Sequence, residues 1–235
     1  MTGAVRAVVI PAGFGHEPSE TVAALERQTC SPEETVVSRH AAGFQDAVRG
    51  ALDRETEWLW LLDGSVVPEP RALESLLEAV GRVDLLPAPL LLASKVVLAD
   101  GSLDPYSLPV PHIAQPDLDF CAFDRRLVAV RVVRRGSVLV HRRGFERCGL
   151  PNLGFVFFGD DLVWTARLLQ PEPGLLVPAS VVTRRRASRQ AEWRRRRASV
   201  GCGLRLLLSD GLGLDEKPWF AGRLVEEVLS LPRRG

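Results

Sequence analysis

A mixed α/β fold, with a mostly parallel sheet flanked by helices and a helical C-terminal tail, is what this sequence predicts. Three observations carry that reading. Valine- and leucine-rich runs alternate with amphipathic stretches through the first third of the chain, β-rich runs continue to Thr183, and from Ser188 onward the pattern is helical. With 235 residues, 46% hydrophobic and 25% charged, the chain has enough apolar material for a sizeable core and is too apolar to be disordered.

The elements follow in order. Ala4–Ile10 is a short buried strand ended by Pro11 and Gly13, and 19–28 is a helix with Val22 and Leu25 on one face and Ser19 as N-cap. Thr35–Val37 is a second strand, 41–54 a helix with Phe44, Val48 and Leu52 in phase, and Trp58–Leu62 a third strand closing on Asp63. The clearest helix starts at Pro70, places Leu73, Leu76, Leu77 and Val80 at i, i+3, i+4 and i+7, and stops at Gly81. Residues 84–98 hold one or two strands, and Asp100-Gly101 is a hairpin-type turn. The proline-rich stretch 103–120 is a long loop, a class that is usually functional or mobile. Strands over 127–133 and 137–141, a short helix ending at Gly149, and a helix over 162–169 come next. A strand pair around Pro178 then leads to two helical pieces broken near Gly211–Gly213 and Pro218. No internal repeat is visible. The expected organisation is one domain in two halves, 1–100 and 101–186, and a helical tail over 187–235.

Composition excludes several classes. The net charge of +1 gives no global signal for nucleic acid. No run approaches the ~20 clean apolar residues of a membrane span, and the N-terminus lacks a basic region followed by a long apolar one. A cytoplasmic protein is expected. Cys30, Cys121, Cys148 and Cys202 show no ligand spacing and read as free thiols. His16 and His141 read as structural, and Trp58 and Trp60, alternating on one strand, as core.

Two acidic positions could carry chemistry. Asp63 stands at the end of a buried strand, where ligands of open parallel sheets bind, or it caps the turn before the next helix. Asp160 and Asp161 start a helix after an aromatic run. They are either an N-cap with a dipole-favoured neighbour, or a carboxylate pair in a cleft with one member acting as general base.

The segment from Glu57 to Leu77 resembles the signature of family 2 glycosyltransferases, in which a tryptophan-rich strand ends in an aspartate cluster followed by a proline and an amphipathic helix. Ala41–Phe44 resembles the glycine-rich segment of its galactofuranosyl- and rhamnosyltransferase branch. Arg143–Pro151, then Phe157–Asp161 and Arg167, is similar to the acceptor-side motif. The resemblance runs from about residue 5 to 186. It implies a GT-A, Rossmann-type fold with a nucleotide-sugar-binding half over 1–100 and an acceptor-binding, catalytic half over 101–186, a nucleotide-sugar donor and an inverting displacement, with Asp161 as base and Asp160 beside it. Donor contacts are implied at Pro11, Gly13, Ser38, Gly43, Asp63 and Ser65, and an acceptor pocket at Phe158, Gly159 and Trp164.

Such enzymes hold Mg²⁺ or Mn²⁺ with an aspartate cluster and often a later histidine. Here those positions read Asp63-Gly64-Ser65 and Thr183, an inadequate set for a hard cation, with Asp63 at most one ligand. Arg184, Arg185 and Arg186 offer compensation, because guanidinium groups bind diphosphate bidentately. The run 184–197 otherwise reads as a solvated face or a contact for anionic lipid headgroups, and only Trp193 interleaves it, which argues against nucleic acid. Two functions follow from the sequence: a metal-independent glycosyltransferase acting on a sugar, small-molecule or lipid-linked acceptor, or a degenerate GT-A protein serving as partner or scaffold in a homo- or hetero-oligomer.

Overall fold

The computed structural model describes residues 4–10, 18–38, 43–52, 55–82, 89–112, 121–134, 136–151, 161–170, 172–185 and 189–229. The side chains of 10, 189–198 and 226–229 lie outside that description. Strand β1 (Val5–Ile10) runs parallel to β2 (Glu34–Val37) on one side and to β3 (Trp58–Asp63) on the other, with Val9 opposite both Val37 and Leu62 and Ile10 opposite Asp63. Every residue of β3 is buried, as its unbroken apolar run requires of a strand covered on both faces.

The first helix is shorter than its sequence period suggests, and the outer residues of the second expected helix, 41, 42, 53 and 54, lie outside the described residues. Helix α1 covers Ser19–Leu25, with Pro18 rather than Ser19 at the N-cap and no side chain capping it. Helix α2 covers Phe44–Leu52, burying Phe44, Val48 and Ala51 one turn apart. After the Asp63 turn the chain forms a short strand that the sequence did not signal, β4 (Val66–Pro68). Helix α3 (Ala72–Arg82) continues through Gly81, because a glycine with no left-handed turn to make adds only a modest cost inside a helix.

Beyond α3 the sheet is mixed rather than mostly parallel. The remaining strands are β5 (Leu91–Val97), β6 (Val110–Pro111), β7 (Val128–Val132), β8 (Ser137–His141) and β9 (Gly174–Arg184). Among the described residues the sheet has nine strands in the order β2-β1-β3-β8-β5-β9-β7-β6, with β4 paired to β9. Strand β8 is antiparallel to both β3 and β5, and β9 is parallel to β5 but antiparallel to β7 and β4. The strand pair expected around Pro178 is one strand. Its register against β5 jumps from Ser94–Val177 to Lys95–Val181, so the residues around Pro178, which has no N–H to donate, bulge out of the ladder. At the Asp100-Gly101 turn, Gly101 adopts φ +82° and the Asp100 carboxylate accepts from the Ser102 N–H at 3.0 Å, returning the chain to an antiparallel bridge between Val97 and Leu103.

Helices cover both faces. On one, Leu25, Leu73, Leu76 and Ala79 pack on Trp58, Trp60 and Leu62. On the other, Phe44 and Val48 join Phe145 of α4 (Arg142–Cys148) and Trp164 and Leu168 of α5 (Asp161–Leu168) over Leu59, Leu61 and Val140. Each large side chain buried this way contributes about 1.5–3 kcal/mol. Both tryptophans of β3 are core, as expected. The Trp60 indole donates to Ser137 Oγ at 2.9 Å, and a chain of buried hydroxyls continues through Ser94 (2.6 Å) and Ser180 (2.8 Å) to the carbonyl of Ala72 (2.8 Å). That relay satisfies every polar group it contains and ties four strands to α3.

The C-terminal segment folds as α6 (Arg189–Leu208) and α7 (Lys217–Leu229) and docks on β7 and α5 through Cys202, Leu206, Leu212 and Phe220 against Val132, Leu162 and Ala166. Arg131, buried on β7, fixes the docking. Its guanidinium pairs with Glu216 at 2.6 Å and donates to the carbonyls of Ala166 and Gly211, each at 2.6 Å. No described helix is long and apolar enough to cross a membrane.

Candidate active site

Strands β2, β1 and β3 end together, and the candidate donor residues sit at that edge. Ser38 follows β2 and is buried, donating its N–H to the carbonyl of Val9 at 3.0 Å. A Cβ on Gly43 would lie 3.7 Å from the Ser38 hydroxyl, so these two flank one spot. Asp63 ends β3 across β1, about 10 Å away by strand spacing. Its Oδ1 accepts from the N–H of Ser65 at 2.9 Å and from the Ser65 hydroxyl at 2.8 Å, a local turn that Asp-Gly-Ser favours.

The centre of the site is a buried cation. Val66 of β4 pairs with Arg184 of β9, which brings the Arg184 guanidinium beside the Asp63 turn. There it lies between two aspartate–serine pairs. On one side Nη1 donates to Ser65 Oγ at 2.5 Å and sits 3.5 Å from Asp63 Oδ2; on the other, Nε donates to Asp104 Oδ2 at 2.6 Å and Nη2 to Ser107 Oγ at 2.9 Å. Ser107 in turn donates to Asp104 at 2.6 Å. Side-chain exposure is 3% for Arg184, 5% for Asp63 and 1% for Asp104, so the attraction acts in a desolvated setting where each charge needs the others.

Gly136 completes this arrangement. Its carbonyl accepts the Asp63 N–H at 2.9 Å, and a Cβ there would come within 3.0 Å of Val96 and 3.6 Å of the Arg184 guanidinium. Arg185 follows outward. Its N–H bonds the carbonyl of Ser65 at 2.9 Å, and its guanidinium donates to the carbonyl of Gly64 at 2.6 Å and pairs with Glu20 at 3.5 Å.

Asp161 lies buried in the first turn of α5, where the helix dipole favours a carboxylate. Burial pushes the Cys202 thiol of α6 up to about 11, the negative charge of Asp161 adds to the rise, and Arg134 and Arg205 oppose it. The Thr165 hydroxyl contacts the carbonyls of Val133 and Asp161, each at 2.8 Å, so the end of β7 lies beside the first turn of α5, while Gly136, bonded to Asp63, is three residues beyond Val133. Three residues of chain span at most about 11 Å. The two acidic motifs, nearly a hundred residues apart in sequence, therefore flank the same short connection between β7 and β8.

Other expected site residues fall elsewhere. Trp164 is in the core, with its ring 5.6 Å from Phe145 and its N–H donated to the carbonyl of Gly149 at 3.0 Å. Pro11, Gly13, Phe158, Gly159, Asp160, Arg186 and His16 lie outside the described residues, as do the side chains of Arg194–Arg197. His141 has a structural role, as expected: it N-caps α4 by accepting the Arg143 N–H at 3.1 Å and meets Trp58 edge-on at 4.7 Å. Its proton affinity is lowered, first by burial and then by the charge of Arg143. Sequence reasoning missed Asp104, Ser107 and Gly136. The signal for the first two was an Asp-Pro-Tyr-Ser turn inside a stretch read only as loop.

This architecture is that of the GT-A glycosyltransferases. The solved structures that share it include TarS of S. aureus (TM-score 0.56, 11% identity, 98% of this chain and 44% of that one) and TarS 1–349 in complex with UDP (0.56, 11%, 97% and 72%). GalNAc-T7 with UDP, GalNAc and Mn²⁺ is a third (0.54, 10%, 95% and 55%). The chain thus spans less than half the length of TarS. No protein-family model matches the sequence, and no curated protein matches it.

The residues at the end of β3 do not fit a divalent ion of the kind that GalNAc-T7 holds. Asp63 and Asp104 are already joined to Arg184, Ser65 and Thr183 are neutral, and Thr183 faces Glu69 at 3.4 Å. Among the described residues no group of three His, Cys, Asp or Glu side chains is placed to hold a metal. A dication entering here would meet a guanidinium at hydrogen-bond range of both carboxylates.

Proposed function

We propose that this chain transfers a sugar from a nucleotide-sugar donor to an acceptor hydroxyl with inversion, and that a fixed guanidinium takes the place of a metal in holding the donor loop. The observation that carries the reading is Arg184, buried between Asp63 and Asp104 at the end of β3. Arg184 is a positioning residue here: it neutralises both carboxylates and fixes the Asp63–Ser65 turn. The nucleoside would lie against Ser38 and Gly43, with Pro11 and Gly13 following β1. Arg185 and Arg186 would meet the diphosphate, whose charge grows as the glycosidic bond breaks.

Asp161 serves as the base. As the acceptor oxygen bonds to the anomeric carbon, the Asp161 carboxylate takes the hydroxyl proton and the bond to the nucleoside diphosphate breaks on the opposite face, which inverts the configuration. Replacement by Asn keeps the shape of the side chain and removes its basicity. Asp161→Asn is expected to lower transfer by about 10²–10⁴-fold while nucleoside diphosphate affinity, measured by calorimetry, stays within about two-fold. Transfer near the wild-type rate removes Asp161 from the role.

The same network favours a second reading. With Asp63 committed to Arg184, the motif could have lost donor chemistry and left a GT-A scaffold for a partner enzyme. Nucleotide binding without turnover over a panel of donors and acceptors would support that reading.

A further inference from the structure

We infer that the cavity between residues 105–110 and α7 receives the acceptor, and that the acceptor is a hydroxyl-bearing anion, a sugar or polyol carrying a phosphate or carboxylate. The inference rests on the transferase reading above and adds the substrate class. The cavity has a volume of about 380 Å³, the size of a small-molecule site. Its position comes from its walls. Pro105 and Tyr106 directly follow Asp104, which holds Arg184; Leu162 directly follows Asp161; Arg134 directly follows Val133, which the Thr165 hydroxyl links to the Asp161 carbonyl; and Trp219 and Arg223 close it from α7. Its walls therefore run from beside the Asp104–Arg184 pair to the first turn of α5, which is where the transferase reading needs the attacking hydroxyl.

The chemistry of the walls selects the ligand. Tyr106, Trp219 and Phe220 present aromatic surface suited to the C–H faces of a sugar or polyol. The charged side chains in the lining are both arginines. Among the described residues Arg223 makes no ion pair, and its guanidinium is held 5.7 Å over the Trp219 ring. That places a bidentate anion donor beside an aromatic platform. A neutral acceptor would leave this charge unused, whereas a phosphate or carboxylate would complete it. The C-terminal helices, read from sequence as a tail, then form part of the substrate site.

Calorimetric titration of the full chain tests this with glucose 6-phosphate, glucuronate and glucose, each with and without saturating UDP, and with UDP titrated alone. The wild type is expected to bind one or both anions about ten-fold or more tightly than glucose, the worth of one charge-assisted contact. Glucose 6-phosphate alone being preferred identifies phosphate acceptors, and glucuronate alone identifies carboxylates. Arg223→Ala, at an exposed position, should erase the preference, and Arg223→Lys should keep part of it, while UDP affinity stays unchanged in both. No binding of either anion, equal affinity for glucose, or an undiminished preference in Arg223→Ala overturns the inference. So does displacement of the anions by UDP, which would make the cavity a donor subsite. Anion preference without any UDP binding instead sinks the donor reading and leaves the cavity assignment standing.

Discussion

Removing the Arg184 guanidinium should expose how much of the fold depends on it. Arg184→Met keeps most of the aliphatic volume and removes the guanidinium that Asp63 and Asp104, buried at 5% and 1% exposure, share. Breaking a buried ion pair by deleting one partner costs about 3–5 kcal/mol. Two carboxylates share this cation, and the hydroxyls of Ser65 and Ser107 lose a donor as well, so the upper end of that range is expected at neutral pH. Against a total stability of about 5–15 kcal/mol the loss is large. The sign of its pH dependence follows from the chemistry. In the folded variant the stranded carboxylates hold protons more tightly than in the unfolded chain, so the deficit is full near neutrality and shrinks as pH falls toward 5. Urea unfolding of wild type and variant across that range measures it. The charge-free triple variant R184M/D63N/D104N should recover at least half of the loss. A deficit under about 1 kcal/mol, or a triple variant no more stable than the single one, would refute the claim that Arg184 is the counter-ion of both aspartates.

Two further outcomes follow from other buried groups. Arg131→Met removes the pairing with Glu216 and two carbonyl contacts, and should cost about 3 kcal/mol and increase protease cleavage between α6 and α7, because that cluster ties the C-terminal helices to β7. His141 holds its proton less tightly in the fold than its ordinary 6.5, so its contribution is present above that value and lost as pH falls below it. The melting temperature should therefore fall between about pH 7 and 5, and His141→Asn, which still caps α4, should flatten that part of the profile.

What the sequence revealed and what it concealed divide along a physical line. The alternation of β1, α1, β2, α2, β3 and α3 was legible because each element carries its own period and each strand of the parallel trio is a local apolar run. The insertion of antiparallel β8 between β3 and β5 was not, since strand order depends on pairing between distant segments. The bulge at Pro178 likewise depends on the partner strand, so a single strand read as two. At the site, Asp63 and Asp161 stood out as acids at element ends. The partners that define the chemistry did not: Arg184 looked like part of a basic run facing phosphate, and its commitment to Asp104, 80 residues away, exists only in the folded chain. Asp104 and Ser107 looked like turn residues because locally they are.

The account turns on a built-in cation doing for the donor loop what a metal does elsewhere. The most direct test is calorimetric titration of UDP, GDP and dTDP into the protein, once in EDTA and once in Mn²⁺. The account predicts that at least one nucleoside diphosphate binds in EDTA, with an affinity within about two-fold of that in Mn²⁺. Binding seen only when Mn²⁺ is present, or no binding of any of the three at millimolar concentration, would contradict it.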